Sequence, residues 1–278
     1  ARPRSMTYRK EKRAMKYVFS DSLAELRPSA IREIFKSLGD PEMIAFAAGN
    51  PSPEAFPVGL VRRECARILE EQPIEALQYG TTEGYTPLRR AIEARLTERF
   101  GHCADGNDVI VTTGGEQGIE LACKALCNPG DAVLCEEPSF IGALNSFRSL
   151  GAVPVGVPMD ADGINVVAFE EAAVRTGARL AYLIPTFQNP SGITMSAEKR
   201  RAIYEVACRR GIMLIEDNPY GELRFAGSGV DTIKSIDAEG AVIYCSSFSK
   251  ILAPGIRVGY VQAARAVVSK MVVAKQVE

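Results

Sequence analysis

From about residue 106 onward the chain repeats one alternation. Short, β-branched apolar runs give way to longer stretches in which apolar residues recur every three or four positions. The runs at 108–113, 132–135, 153–157, 180–184 and 212–215 predict strands, and the stretches 117–126, 140–150, 167–176 and 196–210 predict the helices between them. Two further strands are predicted at 242–245 and 257–261, with a last helix over 263–277. Several runs are apolar at nearly every position rather than at alternate ones, the pattern of strands covered on both faces. The expectation is an α/β fold, three layers (α/β/α) around a mainly parallel sheet. Upstream, helices are predicted over 29–38, 58–71 and 87–100, with the Pro/Gly-rich stretch 46–57 as an extended connection. The last helical pattern has no Gly, Pro or capping residue after it, so it predicts a helix that runs on beyond residue 278.

Composition narrows the function classes. Of 278 residues, 46% are hydrophobic, enough for a substantial core and against wholesale disorder. Lys and Arg total 33 against 34 Asp and Glu, a net charge of −1, which gives no electrostatic case for nucleic acid as a partner. A basic arm of seven Lys/Arg and one Glu opens the chain and reads as a solvated tail. The apolar runs fall far short of the ~20 residues that cross a bilayer. With a basic rather than apolar start, the expectation is a cytoplasmic protein with no membrane partner.

Seven cysteines, an odd number without CxxC pairs and mostly in apolar segments, read as reduced buried thiols. The sole histidine, His102, falls in a predicted loop, and one histidine cannot build a multi-histidine metal site. No metal is expected. Acid–base chemistry would have to come from lysine, a carboxylate, tyrosine or a cofactor.

In an open parallel sheet, ligands collect beyond the carboxyl ends of the strands, so the polar residues directly after each apolar run matter most. Thr112-Thr-Gly-Gly115-Glu116-Gln117 follows one run and opens a helix, where free N–H groups favour an anion. Asn189-Pro-Ser-Gly192 follows the second, Asp217-Asn-Pro-Tyr220 the third, and Ser246-Ser247-Phe-Ser249-Lys250 the fourth. Singly, each has a plain alternative: a tight turn, a strand-end cap, a solvated charge. Lys250, flanked by Phe248, Ile251 and Leu252 with Arg257 nearby, fits an exposed charge least well. Four strand ends thus bring an anion cradle, an amide, an aspartate with a tyrosine, and a lysine with serines to one rim.

Together these segments resemble the class I aminotransferases, fold type I enzymes dependent on pyridoxal 5′-phosphate. The likeness extends over about residues 46–278 and is most specific at Ser247-Phe-Ser-Lys250-Ile-Leu-Ala-Pro-Gly-Ile-Arg257-Val-Gly-Tyr260. The seven-residue step from Lys250 to Arg257 and the Leu77-Gln-Tyr79-Gly80 stretch point toward the kynurenine/α-aminoadipate branch and the aminotransferase-like domain of MocR-type regulators. The resemblance implies transfer of an amino group from an L-amino acid to a 2-oxo acid, with 2-oxoglutarate as acceptor. It also implies that Lys250 is the residue that bonds the cofactor and shuttles the proton, with Asp217 at the pyridine nitrogen and Asn189 and Tyr220 at the ring oxygen. Phe140 would stack on the ring, where family members often carry tyrosine. Gly115, Glu116, Gln117, Ser247, Ser249 and Arg257 would hold the phosphate, and Tyr79 would reach it from the second subunit of a homodimer. Gly49 and Asn189 would face substrate.

The implied domains are 1–55, an N-terminal arm belonging to a small domain, and 56–278, the cofactor-binding large domain. The family's carboxylate-binding arginine lies in a C-terminal domain expected to be missing here. A pyridoxal-phosphate lyase and the effector domain of a regulator remain alternatives; a regulator would carry a winged helix-turn-helix before residue 46, and the residues there lack that pattern.

Overall fold

The computed structural model describes residues 16–24, 26 and 49–278. The predicted helix at 29–38 lies outside them. A single turn, α1 (Asp21–Ala24), precedes α2 (Val58–Glu71), α3 (Pro73–Leu77) and α4 (Thr86–Phe100). Then β1 (Asn107–Thr112), α5 (Gly115–Leu126), β2 (Ala132–Glu137), α6 (Ile141–Ser149), β3 (Val153–Asp160) and the short β4 (Gly163–Ile164) follow. The second half runs α7 (Val166–Thr176), β5 (Leu180–Leu183), α8 (Ala197–Arg210), β6 (Met213–Asp217), β7 (Val242–Ser247), β8 (Gly259–Ala264) and α9 (Arg265–Lys275).

The eight strands form one sheet in the order β1-β8-β7-β6-β5-β2-β3-β4. From β7 through β3 the neighbours are parallel, whereas β8 runs antiparallel to both β1 and β7. Strands β2, β5, β6 and β7 are buried on both faces over most of their length, whereas β3 is largely exposed or half-buried. Along the buried strands alternate residues serve opposite layers. Val133, Tyr182, Ile215 and Ile243 pack into one cluster with Ile119, Phe147 and Met271. Their neighbours Leu134, Ala181, Leu214 and Val242 pack into another with Phe169 and Ile203. This is the three-layer α/β/α arrangement expected from the uninterrupted apolar runs. Helix ends follow ordinary capping chemistry: the Asn165 side chain accepts from Ala168 N–H at 2.9 Å, and Gly177 and Gly211 close α7 and α8 in the left-handed conformation.

Several local expectations need correction. The strand predicted at 257–261 begins two residues later, and Arg257 stands outside it with φ 51° after a 3-10 turn, Pro254–Ile256. The helix predicted from residue 117 starts at Gly115, and the one predicted from 263 starts at Arg265. The connection at 46–57 is not extended throughout, because Pro53–Ala55 forms a 3-10 turn. Helix α3 and strand β4 were not anticipated. Proline at the first position of α3 stands where its missing N–H costs nothing.

Candidate active site

Between β1 and α5 the chain must turn sharply while staying close to β8. Gly114 makes the turn with φ 98°, and a Cβ there would meet the Arg257 guanidinium. Gly259, opposite, would drive a Cβ into the Gly114 backbone. The two glycines therefore let Arg257 lie against the start of α5, where its Nη2 donates to Thr113 O at 2.9 Å. No side chain caps this helix, so its first N–H groups, with the positive end of the helix dipole, face the same place as the guanidinium. Ser247 and Ser249 complete the cradle: Ser247 Oγ donates to Ser249 Oγ at 2.8 Å and accepts from Ser249 N–H at 3.0 Å.

Lys250 follows in the turn after β7. Its Nζ donates to Gly49 O at 2.9 Å, and partial burial lowers its pKa below the usual lysine value. Among the described residues it has no carboxylate partner. Asp217, the last residue of β6, is 6% exposed. Burial pushes its carboxyl up to about 7, opposed by the Tyr182 hydroxyl, which donates to Oδ2 at 2.7 Å. Asn189 Nδ2 donates to Tyr220 OH at 3.3 Å, so two polar tips from different strand ends meet.

The segment carrying Asn189 is tied down by its neighbour. Gln188 Nε2 donates to Pro138 O at 2.8 Å and to Glu136 Oε2 at 3.3 Å, while its Oε1 accepts from Ser191 N–H at 2.8 Å. Glu136 also accepts from Ile184 N–H at 3.0 Å, and burial raises its pKa to about 7. One buried acid and one buried amide thus join the segment of Phe140 to that of Asn189.

These groups line a cleft of about 210 Å³ at the carboxyl ends of the strands. Gly115, Glu116 and Phe140 stand along it with Asn189, Asp217 and Tyr220. Ser247, Ser249, Lys250 and Arg257 line it as well. Gln117, expected to serve through its backbone, is in the first turn of α5, and its side chain accepts from Thr113 N–H at 2.9 Å and donates to Glu278 at 2.6 Å. Two predicted residues stand elsewhere. Gly49 reaches the site only through its carbonyl on Lys250. Tyr79 is 99% exposed and belongs to a separate groove of about 1000 Å³ along α2, α3 and the start of α4.

Sequence reasoning missed Tyr182 and Glu136, which lie within or beside apolar runs and carry no turn signal, and Gln188, which stands just before the Asn189-Pro-Ser-Gly192 turn. His102 lies in a loop, as expected, but not at the surface. It is buried, with Nδ1 and Nε2 each 2.8 Å from a partner, Gln262 Oε1 and Thr232 Oγ1, and burial lowers its pKa to about 4. The expectation of buried thiols holds for Cys123, Cys135 and Cys245 but not for Cys65 and Cys103, which are exposed.

A buried acid, a half-buried lysine and an uncapped helix N-terminus beside Arg257 thus meet at the strand ends of an α/β/α sheet. The chain belongs to the class I and II aminotransferases, whose family model matches residues 41–276. It is 39% identical over 263 residues to aromatic-amino-acid aminotransferase 1 of Thermococcus litoralis, covering 93% of this chain and 63% of that protein. It is 36% identical over 261 residues to the 2-aminoadipate transaminase of Thermus thermophilus, covering 93% and 64%. Among solved structures, a kynurenine aminotransferase of Pyrococcus horikoshii in complex with PMP superposes with a TM-score of 0.87 at 38% identity, covering 93% of this chain and 65% of that one. The chain thus spans less than two thirds of the length of these relatives.

Proposed function

We propose that the protein is a pyridoxal 5′-phosphate-dependent aminotransferase that moves an amino group from an L-amino acid to a 2-oxo acid, with 2-oxoglutarate as acceptor. The observation that carries this reading is one cleft holding a half-buried lysine, a buried carboxyl and an anion cradle. The residues fit the cofactor by their own chemistry. Arg257 has no carboxylate partner among the described residues, and the Asp217 carboxylate has a single side-chain donor, which leaves acceptor capacity for a ring N–H. The relatives' names, which describe aminotransferases of aromatic amino acids and aminoadipate, support the same reaction class.

When bound, pyridoxal phosphate supplies an electron sink for the carbanion formed at the substrate α-carbon. Lys250, with its pKa lowered by burial, offers a neutral amine to the cofactor aldehyde more readily than an exposed lysine would. The Lys250 Nζ, placed in the cleft, would then be the base that moves a proton at the substrate α-carbon. Asp217, buried at the end of β6, would hold the ring nitrogen in its protonated form by a charge-assisted hydrogen bond. Asn189 and Tyr220 present an amide and a phenol to the ring oxygen, and Phe140 covers one ring face. The α5 N-terminus with Ser247, Ser249 and Arg257 receives the phosphate. Gly49, whose carbonyl touches Lys250, lies on the substrate side.

The same proposal makes residues 56–278 the cofactor-binding domain and the active unit a cytoplasmic homodimer. No helix among the described residues is long and apolar enough to cross a membrane. Support for the dimer comes from α2, a 14-residue helix with no buried side chain, and from the exposure of Tyr79. Incubation with pyridoxal phosphate, borohydride reduction and peptide mapping test the reading. The expected adduct is on Lys250, with Lys250→Ala retaining no reduced label. A stable adduct on another lysine would sink it.

A further inference from the structure

We propose that Tyr182 is a positioning residue that keeps the Asp217 carboxylate charged and fixed in the cleft. The proposal rests on the pyridoxal-phosphate reading only for its consequence, not for its geometry. Asp217 ends β6, and Tyr182 stands on the adjacent parallel strand β5, two residues along in register, with no exposed surface. Its ring is set edge-on to Phe147, with centroids 5.8 Å apart and planes at 71°. The hydroxyl is therefore delivered from the packed core rather than from the cleft. It donates to Oδ2 at 2.7 Å and is the carboxylate's side-chain donor among the described residues.

The other titratable groups near Asp217 do not perform this task. Glu136 on β2 is a second buried acid whose charge opposes that of Asp217. Cys245 on β7 is a buried thiol with its pKa pushed well up. Tyr220, beyond β6, spends its hydroxyl on Asn189, and Lys250 lines the cleft with its amine on Gly49. Tyr182 differs in being a donor that burial prevents from ionising, so its proton stays between the two oxygens at any working pH. Hydrogen bonding to the charged form favours that form, whereas burial favours the neutral acid. With the hydroxyl removed, burial acts unopposed. Asp217 then becomes a neutral acid at neutral pH and loses its hold on a protonated ring nitrogen.

The test uses Tyr182→Phe, which keeps the ring against Phe147 and deletes one oxygen. In the cofactor-free chain, labelled with ¹³C only at aspartate carboxyls, the Asp217 resonance is assigned by its absence in Asp217→Asn. A Glu136→Gln background separates its titration from that of the neighbouring acid. The expected result is a midpoint raised by about one to two pH units. At pH 8, pyridoxal phosphate retention should weaken about tenfold in Tyr182→Phe, yet change little when the same substitution is made in Asp217→Asn.

An unmoved midpoint, or equal weakening in both backgrounds, overturns the proposal. If Tyr182→Phe fails to fold while Tyr182→Phe/Asp217→Asn folds, the buried charge is shown to need the hydroxyl, as proposed. Failure of both overturns it in favour of a packing role. If the wild type retains no pyridoxal phosphate, the functional reading falls, and the carboxyl titration still decides the role of Tyr182.

Discussion

Burial raises the Asp217 carboxyl while the Tyr182 hydroxyl opposes the rise, and this sets stability against function at one residue. Its folded pKa of about 7 exceeds the 3.8 of the free side chain because burial dominates. Such a group favours the folded state fully below about pH 4, and that contribution is lost as pH rises through 7. Over the full window the loss is about 4 kcal/mol, an order-of-magnitude figure. The cofactor-free Asp217→Asn variant should therefore melt higher than wild type at pH 8, with the gap closing toward pH 5. Glu136, raised to about 7 by its own burial, titrates with the same sign and persists in the variant, so the pH slope shrinks without vanishing. With pyridoxal phosphate and substrates, the same variant should lose a factor of about 10²–10³ in turnover, the usual cost of removing one preorganised charge interaction. A variant less stable than wild type at pH 8 would mean that the carboxylate is not strained by burial. Residues of this kind were legible because they stand in the polar segments that follow apolar runs, as Asp217, Asn189 and Lys250 do. Tyr182 and Glu136 were not, since inside such a run a polar group looks like one more strand position.

At the level of elements, the alternation of short runs and amphipathic stretches was enough to place most of the strands and helices and the layering. A mainly parallel sheet was legible from it, but the reversals of β8 and β4 were not. Parallel and antiparallel neighbours in a covered sheet bury similar residues, and only the connection distinguishes them. Residues 248–258 between β7 and β8 hold a 3-10 turn instead of a crossover helix, which permits the reversal of β8. That reversal returns the chain to β1 and places Gly259 against Gly114, with Arg257 just before it. The proposed phosphate cradle is in this sense a product of topology. Gly259→Ala should displace the β1–α5 turn and Arg257 together, weakening pyridoxal phosphate retention tenfold or more on the scale of one lost charge-assisted contact of about 1.5–3 kcal/mol. Gly229→Ala, where an added Cβ meets nothing within 4 Å, serves as the control and should leave retention unchanged. Equal retention in Gly259→Ala would show that the close approach is not what positions Arg257.

Over the whole molecule, apolar surface is distributed unevenly, and the excess lies where Tyr79 does. Helix α2 buries none of its residues, and Leu60, Ile68 and Leu69 on it are exposed. Ile74 and Leu77 on α3 are 76% and 77% exposed. Contiguous apolar surface of this kind marks an interaction site, and the proposed homodimer would cover it with a second copy of the chain. The groove along these helices is separate from the cleft of Lys250, so Tyr79 cannot serve its own chain's cradle from where it stands. In a two-fold pair, one patch covers its own symmetry mate, and each Tyr79 is carried toward the other cradle. Sedimentation should then give twice the chain mass. Leu77→Asp, a charge in the apolar patch, should shift the population to monomer and lower pyridoxal phosphate retention with it. Tyr79→Phe separates assembly from cofactor binding: it should leave the mass unchanged and weaken retention by the ~1.5–3 kcal/mol of a hydrogen bond to a charged group. A monomer that holds pyridoxal phosphate as tightly as the dimer would show that the second copy contributes nothing to the site, and Tyr79 would then be only a surface residue of the patch.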